Sequence, residues 1–544
     1  MTKRSWLQAA EILAGAALLL YGGASPAAAQ SSHSTPVPVN PQPGPKTTSS
    51  GKGTPAKAYF EKGEVYAKAG QYNQAIDAFN QAIQLKPDYA EAYYAMGDVQ
   101  YDKLKKYADA AEAYRLGLRY KPGNNQASFR LGFALNDLGR WADAIAPLQD
   151  IPRGDSNRVP ALVELGYAYR HMNSYTEAIR VLKEATSTQP DYGPAYSELG
   201  NVYYYGTEDY NQAVDAYRQA ARLRPNDATP NVMLGKSLRS LDKPAEAIGS
   251  LEQAERLDPK NFDAAFELGG AYRELNRSQE AIAEYRKATN LKSDSARGYF
   301  GLGDVYFLNL KQYSQAIDAY QQGLRYDPKS HIAYVNIGMA YINMNKNMEA
   351  VFPIQEAIRI KADYALAHKS LGEAYNALAR YTESASEYKE AVRLSPKYLE
   401  AYQGLGEVEL SGLKDYTAAA EAYEQVVRLQ PENAVNNFNL GLAYALLEKY
   451  YESLPALEKA TRLNPQMIDA HTMLGYSYRG LRRYDESVSA LRQSLRIDNN
   501  NALAHLNLGL TYNAMGNRSG AQVEYETLKR LDPGKADVLL RNMK

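Results

Sequence analysis

Cysteine is absent from the 544 residues, which removes thiolate nucleophiles, disulfides, iron–sulfur clusters and Cys-type zinc sites from consideration. Other side chains with catalytic potential have to be weighed by their spacing. Gly235-Lys236-Ser237 has the ending of a phosphate-binding loop. The first Gly of that motif would fall on Pro230, however, and the segment lies on a helical pattern rather than after a strand. His368 and His471 stand 103 residues apart at equivalent places, His505 occupies the next such place, and no HExxH is present. Their positions predict packed neutral rings rather than a metal site. Paired carboxylates recur on many helical stretches, as solvated faces require. These side chains predict no catalytic centre, no metal and no cofactor, so the chain is not expected to be an enzyme.

The elements that carry these residues repeat. An apolar residue followed by Gly recurs from Met96-Gly97 through Leu131-Gly132 and Leu199-Gly200 to Leu508-Gly509, with Lys62-Gly63 as a divergent first copy. Successive glycines are 34 or 35 residues apart, and every third step is 35. Most copies have Tyr three residues after the Gly, and a small residue follows twelve or thirteen after it. Four further on comes Tyr, Phe, Leu or Ile, and a Pro closes most units. Each unit contains two amphipathic stretches of about fourteen residues, each sufficient for a helix of roughly 21 Å. A mid-helix Gly costs about 1 kcal/mol against Ala, so close approach of the two helices is expected there, with the small residue as the matching notch. One pair cannot bury its apolar face alone; stacked neighbours must supply the core.

This pattern resembles the tetratricopeptide repeat, shown most fully by Ala195-Tyr196-Ser197-Glu198-Leu199-Gly200-Asn201-Val202-Tyr203, Ala213 to Tyr217 and Pro225. It predicts an all-α, right-handed superhelical solenoid of about fourteen helix-turn-helix units spanning 56–535. Their bounds are 56–89, 90–124, 125–158, 159–192, 193–227, 228–261, 262–295, 296–330, 331–364, 365–398, 399–433, 434–467, 468–501 and 502–535. A short capping helix is expected over 536–544, and local distortion around Ile151 to Asp155. The long units start their Gly at 97, 200, 303 and 406; their extra residue is expected in the turn joining the two helices, giving four enlarged turns along one rim.

The resemblance further implies that the first helices line a concave groove that holds an extended peptide or a partner helix. Groove positions lie three before the Gly and one, four and five after it. They yield the candidate partner-binding residues Tyr94, Tyr101, Phe129, Phe133, Tyr167, Arg170, His171, Tyr204, Tyr205, Lys236, Arg239, Phe266 and Arg273. The groove runs from acidic and aromatic (Asp98, Asp102, Asp137) to basic and aromatic (Arg170 to Arg273). The basic stretch either docks an acidic or C-terminal carboxylate segment of a protein partner, or consists of solvated charges paired with Asp or Glu of neighbouring units.

Composition sets the outer limits. Lys plus Arg (62) equals Asp plus Glu (62), leaving no global field for nucleic acid, and none is expected as a partner. Tyr is abundant, at 46 against 10 Phe and 2 Trp, and most copies fall at repeat packing positions. Lys3-Arg4, the apolar run Ile12 to Ala24 and Ala27-Ala28-Ala29 make residues 1–29 a secretory signal peptide, cleaved before Gln30. Residues 30–55, rich in Pro, Ser and Thr, read as a disordered linker. The expectation is an exported, periplasmic or extracellular, non-membrane-spanning scaffold that organises a cell-envelope or secretion assembly. The alternative is a self-associating structural solenoid.

Overall fold

The computed structural model describes residues 54–543; the expected signal peptide, nearly all of the expected linker and Lys544 lie outside them. The described residues form fourteen helix pairs followed by a single helix, Pro533–Met543. The chain divides into two compact parts at Ser293 and Asp294. Each is a row of helix pairs in which a first helix packs on its own second helix and that second helix packs on the next first helix. The architecture is thus an all-α solenoid, and among the described residues no helix is long and apolar enough to cross a membrane.

The expected linker gives up its last residue: Pro55 opens the first helix, Pro55–Lys68, where its missing N–H costs no hydrogen bond. Each pair is joined by a tight turn with one residue in the left-handed region. Glycine takes that place at Gly70, Gly139 and Gly516, and residues such as Lys105, Asn173 and Ala379 take it elsewhere. Gln71 N–H donates to the Tyr66 carbonyl at 2.9 Å across such a turn, satisfying a carbonyl that the helix end leaves open.

The space over the repeated glycine is filled differently from the expected notch. A Cβ on Gly200 would lie 2.6 Å from Cε1 of Tyr217, so it is the large residue, four beyond the small one, that occupies the missing side chain's volume. Small residues such as Ala213 are fully buried beside it. In three of the four long units the seated tyrosine also donates to a polar residue one after the glycine: Tyr114 to Asp98 at 2.7 Å, Tyr217 to Asn201 at 2.8 Å and Tyr320 to Asp304 at 2.8 Å. A ring thereby fills apolar space while its hydroxyl stays satisfied.

The extra residue of the long units does not enlarge the connecting turn. Val99–Lys103, Val202–Thr207, Val305–Asn309 and Val408–Leu413 are π-helical, so the last turn of the first helix is widened instead. Leu104 N–H donates to Val99 O at 3.2 Å and Leu310 N–H to Val305 O at 3.1 Å, both five residues back. The connector keeps a single left-handed residue, Lys105, Glu208, Lys311 or Lys414. A widened turn pairs backbone groups that a longer loop would leave to solvent.

Distortion does occur near Ile151. The helix Trp141–Gln149 has nine residues where its counterpart Tyr175–Thr188 has fourteen, and it contains Pro147. Ile151 is buried beyond it, and Arg158 donates to the carbonyl of Ile151 at 2.9 Å and to Glu184 at 2.7 Å, tying the irregular segment down.

The expected neutral histidines are corrected at two of three positions. His368 places Nδ1 2.7 Å from Glu387 and Nε2 3.0 Å from the Ala362 carbonyl. His505 repeats this with Glu524 at 2.6 Å and Asn499 O at 2.9 Å. Both nitrogens of each ring face acceptors, which only the doubly protonated imidazolium satisfies. Burial opposes the charge on His368, but Glu387 outweighs it; the Glu524 hydrogen bond does the same for His505 against burial, and both rings are held above the ordinary histidine value. The final helix begins at Pro533, three residues before the expected start, and buries Ala536 and Leu539 against the last pair.

Candidate functional site

Hydrogen bonds between successive first helices follow a fixed register. A residue four after one unit's Gly meets a residue two before the next unit's Gly, 28 positions along the chain. Asn136 donates to Glu164 at 2.9 Å, Arg170 Nε donates to Glu198 at 2.6 Å, and Arg239 pairs with Glu267. These bonds run along the candidate face and show where its charges are spent.

At the acidic end, Tyr94 is half-buried and its hydroxyl donates to the Lys121 carbonyl at 2.7 Å. Tyr101 sits on the π-helical turn, buried, with its hydroxyl on Asp137 and its ring 5.1 Å from Tyr107 and 5.6 Å from Phe133. Phe129 and Phe133 are half-buried, ring centroids 5.9 Å apart. The carboxylates outnumber the cations here. Arg130 donates to Asp102 at 2.9 Å, while Glu164 has only the Asn136 amide. Burial pushes the Glu164 carboxyl up to about 7, against the Asn136 hydrogen bond, with Glu198 and Asp137 adding to the rise.

In the middle, His171 stacks on Trp141 at 4.9 Å and meets Tyr167 at 4.4 Å. Burial and then Arg170 hold its pKa below the ordinary value, so this ring is neutral. Arg170 lies 5.2 Å over the Tyr167 ring while bonded to Glu198. Glu198 also accepts from Asn201 at 2.7 Å, and Asn201 accepts from Tyr217, so the chain from Arg170 to Tyr217 is closed.

At the basic end, the Arg239 side chain is 7% exposed, too buried to reach far into solvent. Its guanidinium bonds Glu267 and, through Nε at 3.2 Å, Glu274. It lies flat on Gly270, where a Cβ would be 2.3 Å from Cζ. Arg273 is buried and 3.7 Å from Glu274. Phe266 packs between Phe262 and Tyr285 at 5.9 and 5.5 Å. Lys236 is different: its ammonium stands 5.0 Å from the Tyr204 ring and 5.3 Å from the Tyr205 ring, 3.5 Å from the Tyr205 hydroxyl, with no ion-pair partner among the described residues.

Of the two readings of the basic stretch, pairing with neighbouring units holds for Arg170 and Arg239, while Arg273 lies beside Glu274 of its own unit. Reading charge by sequence position missed Glu198, Glu267 and Glu274, although the 28-residue register would have found the first two. Ser240, which pairs with the Tyr204 hydroxyl at 3.1 Å, was missed for the same reason.

Helix pairs stacked in a row, with side chains of several first helices bonded to the next in one register, form a repeat solenoid. Family models agree. The model described as TPR repeat matches residues 63–103, 166–205 and 475–516. Two described as tetratricopeptide repeat match 101–158, 232–297, 335–398 and 408–468, and 193–227 and 296–330. The chain belongs to the tetratricopeptide repeat family. Among solved structures it is similar to a chain of the APC/C hetero-tetramer Cut9-Hcn1, with 15% identity, 84% of this chain and 96% of that chain covered, and TM-score 0.35. It is also similar to yeast Tom70, with 20% identity, 79% and 96% covered, and TM-score 0.33. MamA matches at 28% identity over 31% of this chain and 92% of its own, with TM-score 0.29.

Proposed function

We propose that the chain is a protein-interaction scaffold that holds segments of partner proteins along the face of its first helices. The observation that carries this reading is the row of half-buried rings on successive first helices: Phe129, Phe133, Tyr167 and Tyr204, ending in the exposed Tyr205. Rings that are fixed by neighbours yet still reach solvent offer contact area at little entropic cost. Export, and service in a cell-envelope or secretion assembly, are part of the proposal and rest on the residue pattern of 1–29.

The test is cross-linked affinity capture from the native envelope with the wild-type chain and a Phe129→Ser, Phe133→Ser variant. Loss of the captured protein by at least tenfold, with an unchanged circular-dichroism spectrum, supports the reading. Equal capture by both chains places the contact elsewhere. Concentration-dependent light scattering of the chain alone, with no protein captured, favours the self-associating solenoid.

A further inference from the structure

The groove cations differ in one respect that bears on what they recognise. Arg170 and Arg239 are committed to glutamates of the next unit, and Arg273 lies beside Glu274. Lys236 carries its charge on a half-buried side chain with no ion-pair partner among the described residues; Glu267 acts on it through space but is itself bonded to Arg239. An ammonium has three N–H donors. Among the described residues Lys236 makes one hydrogen bond, the long one to Tyr205 Oη at 3.5 Å, so at least two of its donors point to no described acceptor.

The surroundings are built rather than incidental. In an α-helix, neighbouring residues do not face each other. Tyr204 and Tyr205 do: their rings meet edge to face at 4.8 Å on the π-helical turn Val202–Thr207. Tyr210 backs Tyr204 at 5.2 Å, and the Ser240 hydroxyl holds its Oη at 3.1 Å. The result is an ammonium framed by two ring faces, with the Tyr205 hydroxyl beside it and Tyr205 itself 52% exposed.

We propose that Lys236, framed by Tyr204 and Tyr205, is the seat for one carboxylate of a bound protein segment. This rests on the scaffold reading above and names the chemistry that the face selects. A carboxylate carries one charge, which the single Lys236 ammonium balances, whereas a phosphate dianion would leave a second charge unmet, because the neighbouring arginines are already paired. The ammonium and the Tyr205 hydroxyl supply the donors, and the rings cover the methylenes of an Asp or Glu side chain.

The test uses the full chain, immobilised, and three pools of nonapeptides randomised at eight positions with Glu, Gln or phosphoserine fixed at the centre. Wild type is expected to retain the Glu pool at least threefold over the Gln pool, with the preference fading as salt rises. Lys236→Met abolishes the preference and Lys236→Arg keeps most of it; Tyr205→Ala, at an exposed ring, weakens it without loss of helicity. Equal retention of the Glu and Gln pools by wild type, or a preference that survives Lys236→Met, overturns the seat but leaves the scaffold reading intact. Retention of the phosphoserine pool above the Glu pool overturns the carboxylate assignment. Retention of no pool overturns both the seat and the scaffold reading.

Discussion

The stretch from Asp98 to Glu164 and the stretch from Arg170 to Arg273 lie on the same face of the same compact part, yet they treat their charges in opposite ways. In the second, each groove arginine, Arg170, Arg239 and Arg273, has a carboxylate beside it, and of the groove cations Lys236 is left over among the described residues. In the first, Arg130 is engaged by Asp102, and Glu164 is left among Asp137 and Glu198 with its carboxyl pushed up to about 7. At its arginines the stretch that reads as basic is electrically quiet, and Lys236 is its one groove cation without an ion pair among the described residues, while the acidic stretch holds Glu164 with no cation bonded to it. The sign of a row of residues is therefore a poor guide to its field; what each side chain meets 28 residues away decides it.

The contrast is broken most severely at Arg239. Arg239→Ala removes the guanidinium that the buried Glu267 and its neighbour Glu274 share, leaving Arg273 as the cation beside Glu274, and it is expected to cost about 3–5 kcal/mol in denaturant unfolding, because a buried charge loses its paired partner. A loss below about 1 kcal/mol would show that the pair is solvated and the stretch is not quiet.

Glu164→Gln tests the other stretch, with the opposite sign. A carboxyl whose folded value is raised to about 7 favours the fold while protonated, and that advantage is lost as pH climbs from its unfolded value through 7. Gln keeps the neutral form at all pH values. The variant should exceed wild type by about 2–3 kcal/mol at pH 8, with the gap shrinking below pH 5. A gap independent of pH would mean the effect is packing. The smallest effect is expected from Arg130→Ala, whose ion pair with Asp102 is about a third exposed: less than about 1 kcal/mol at physiological salt. A larger loss in thermal unfolding would place that pair with Arg239 and erase the distinction.

The helix-pair architecture was legible because its signals are local: Gly, the small residue twelve or thirteen on, and the large one after it all lie within one unit. The role of the glycine was only half legible. Spacing pointed to close approach, but the choice between Ala213 and Tyr217 as the group that enters depends on how the two helices are rotated. The extra residue of the long units was visible as a count, while its absorption into a widened helical turn depends on which backbone hydrogen bonds form. For Arg170 and Arg239 the residue pattern left docking and pairing both open, because the partners that decide it belong to another unit. His368 looked neutral because Glu387 and the Ala362 carbonyl, which together fix its charge, lie nineteen residues ahead and six behind.

The widened turns begin at Val99, Val202, Val305 and Val408, 103 residues apart, each following a glycine that faces a tyrosine. This gives the chain a preferred step of growth. Joining Met96 to Gly200 by removing residues 97–199 would return the sequence to the same point of its cycle, with glycine, ring and turn still in phase. Loss of a single 34-residue unit would instead bring two widened turns closer than three units and put the face out of step. Unequal exchange between copies of the underlying sequence can thus lengthen or shorten the array by three units at a time while the glycine, ring and widened turn stay in register, so reach is a property that can change in fixed steps.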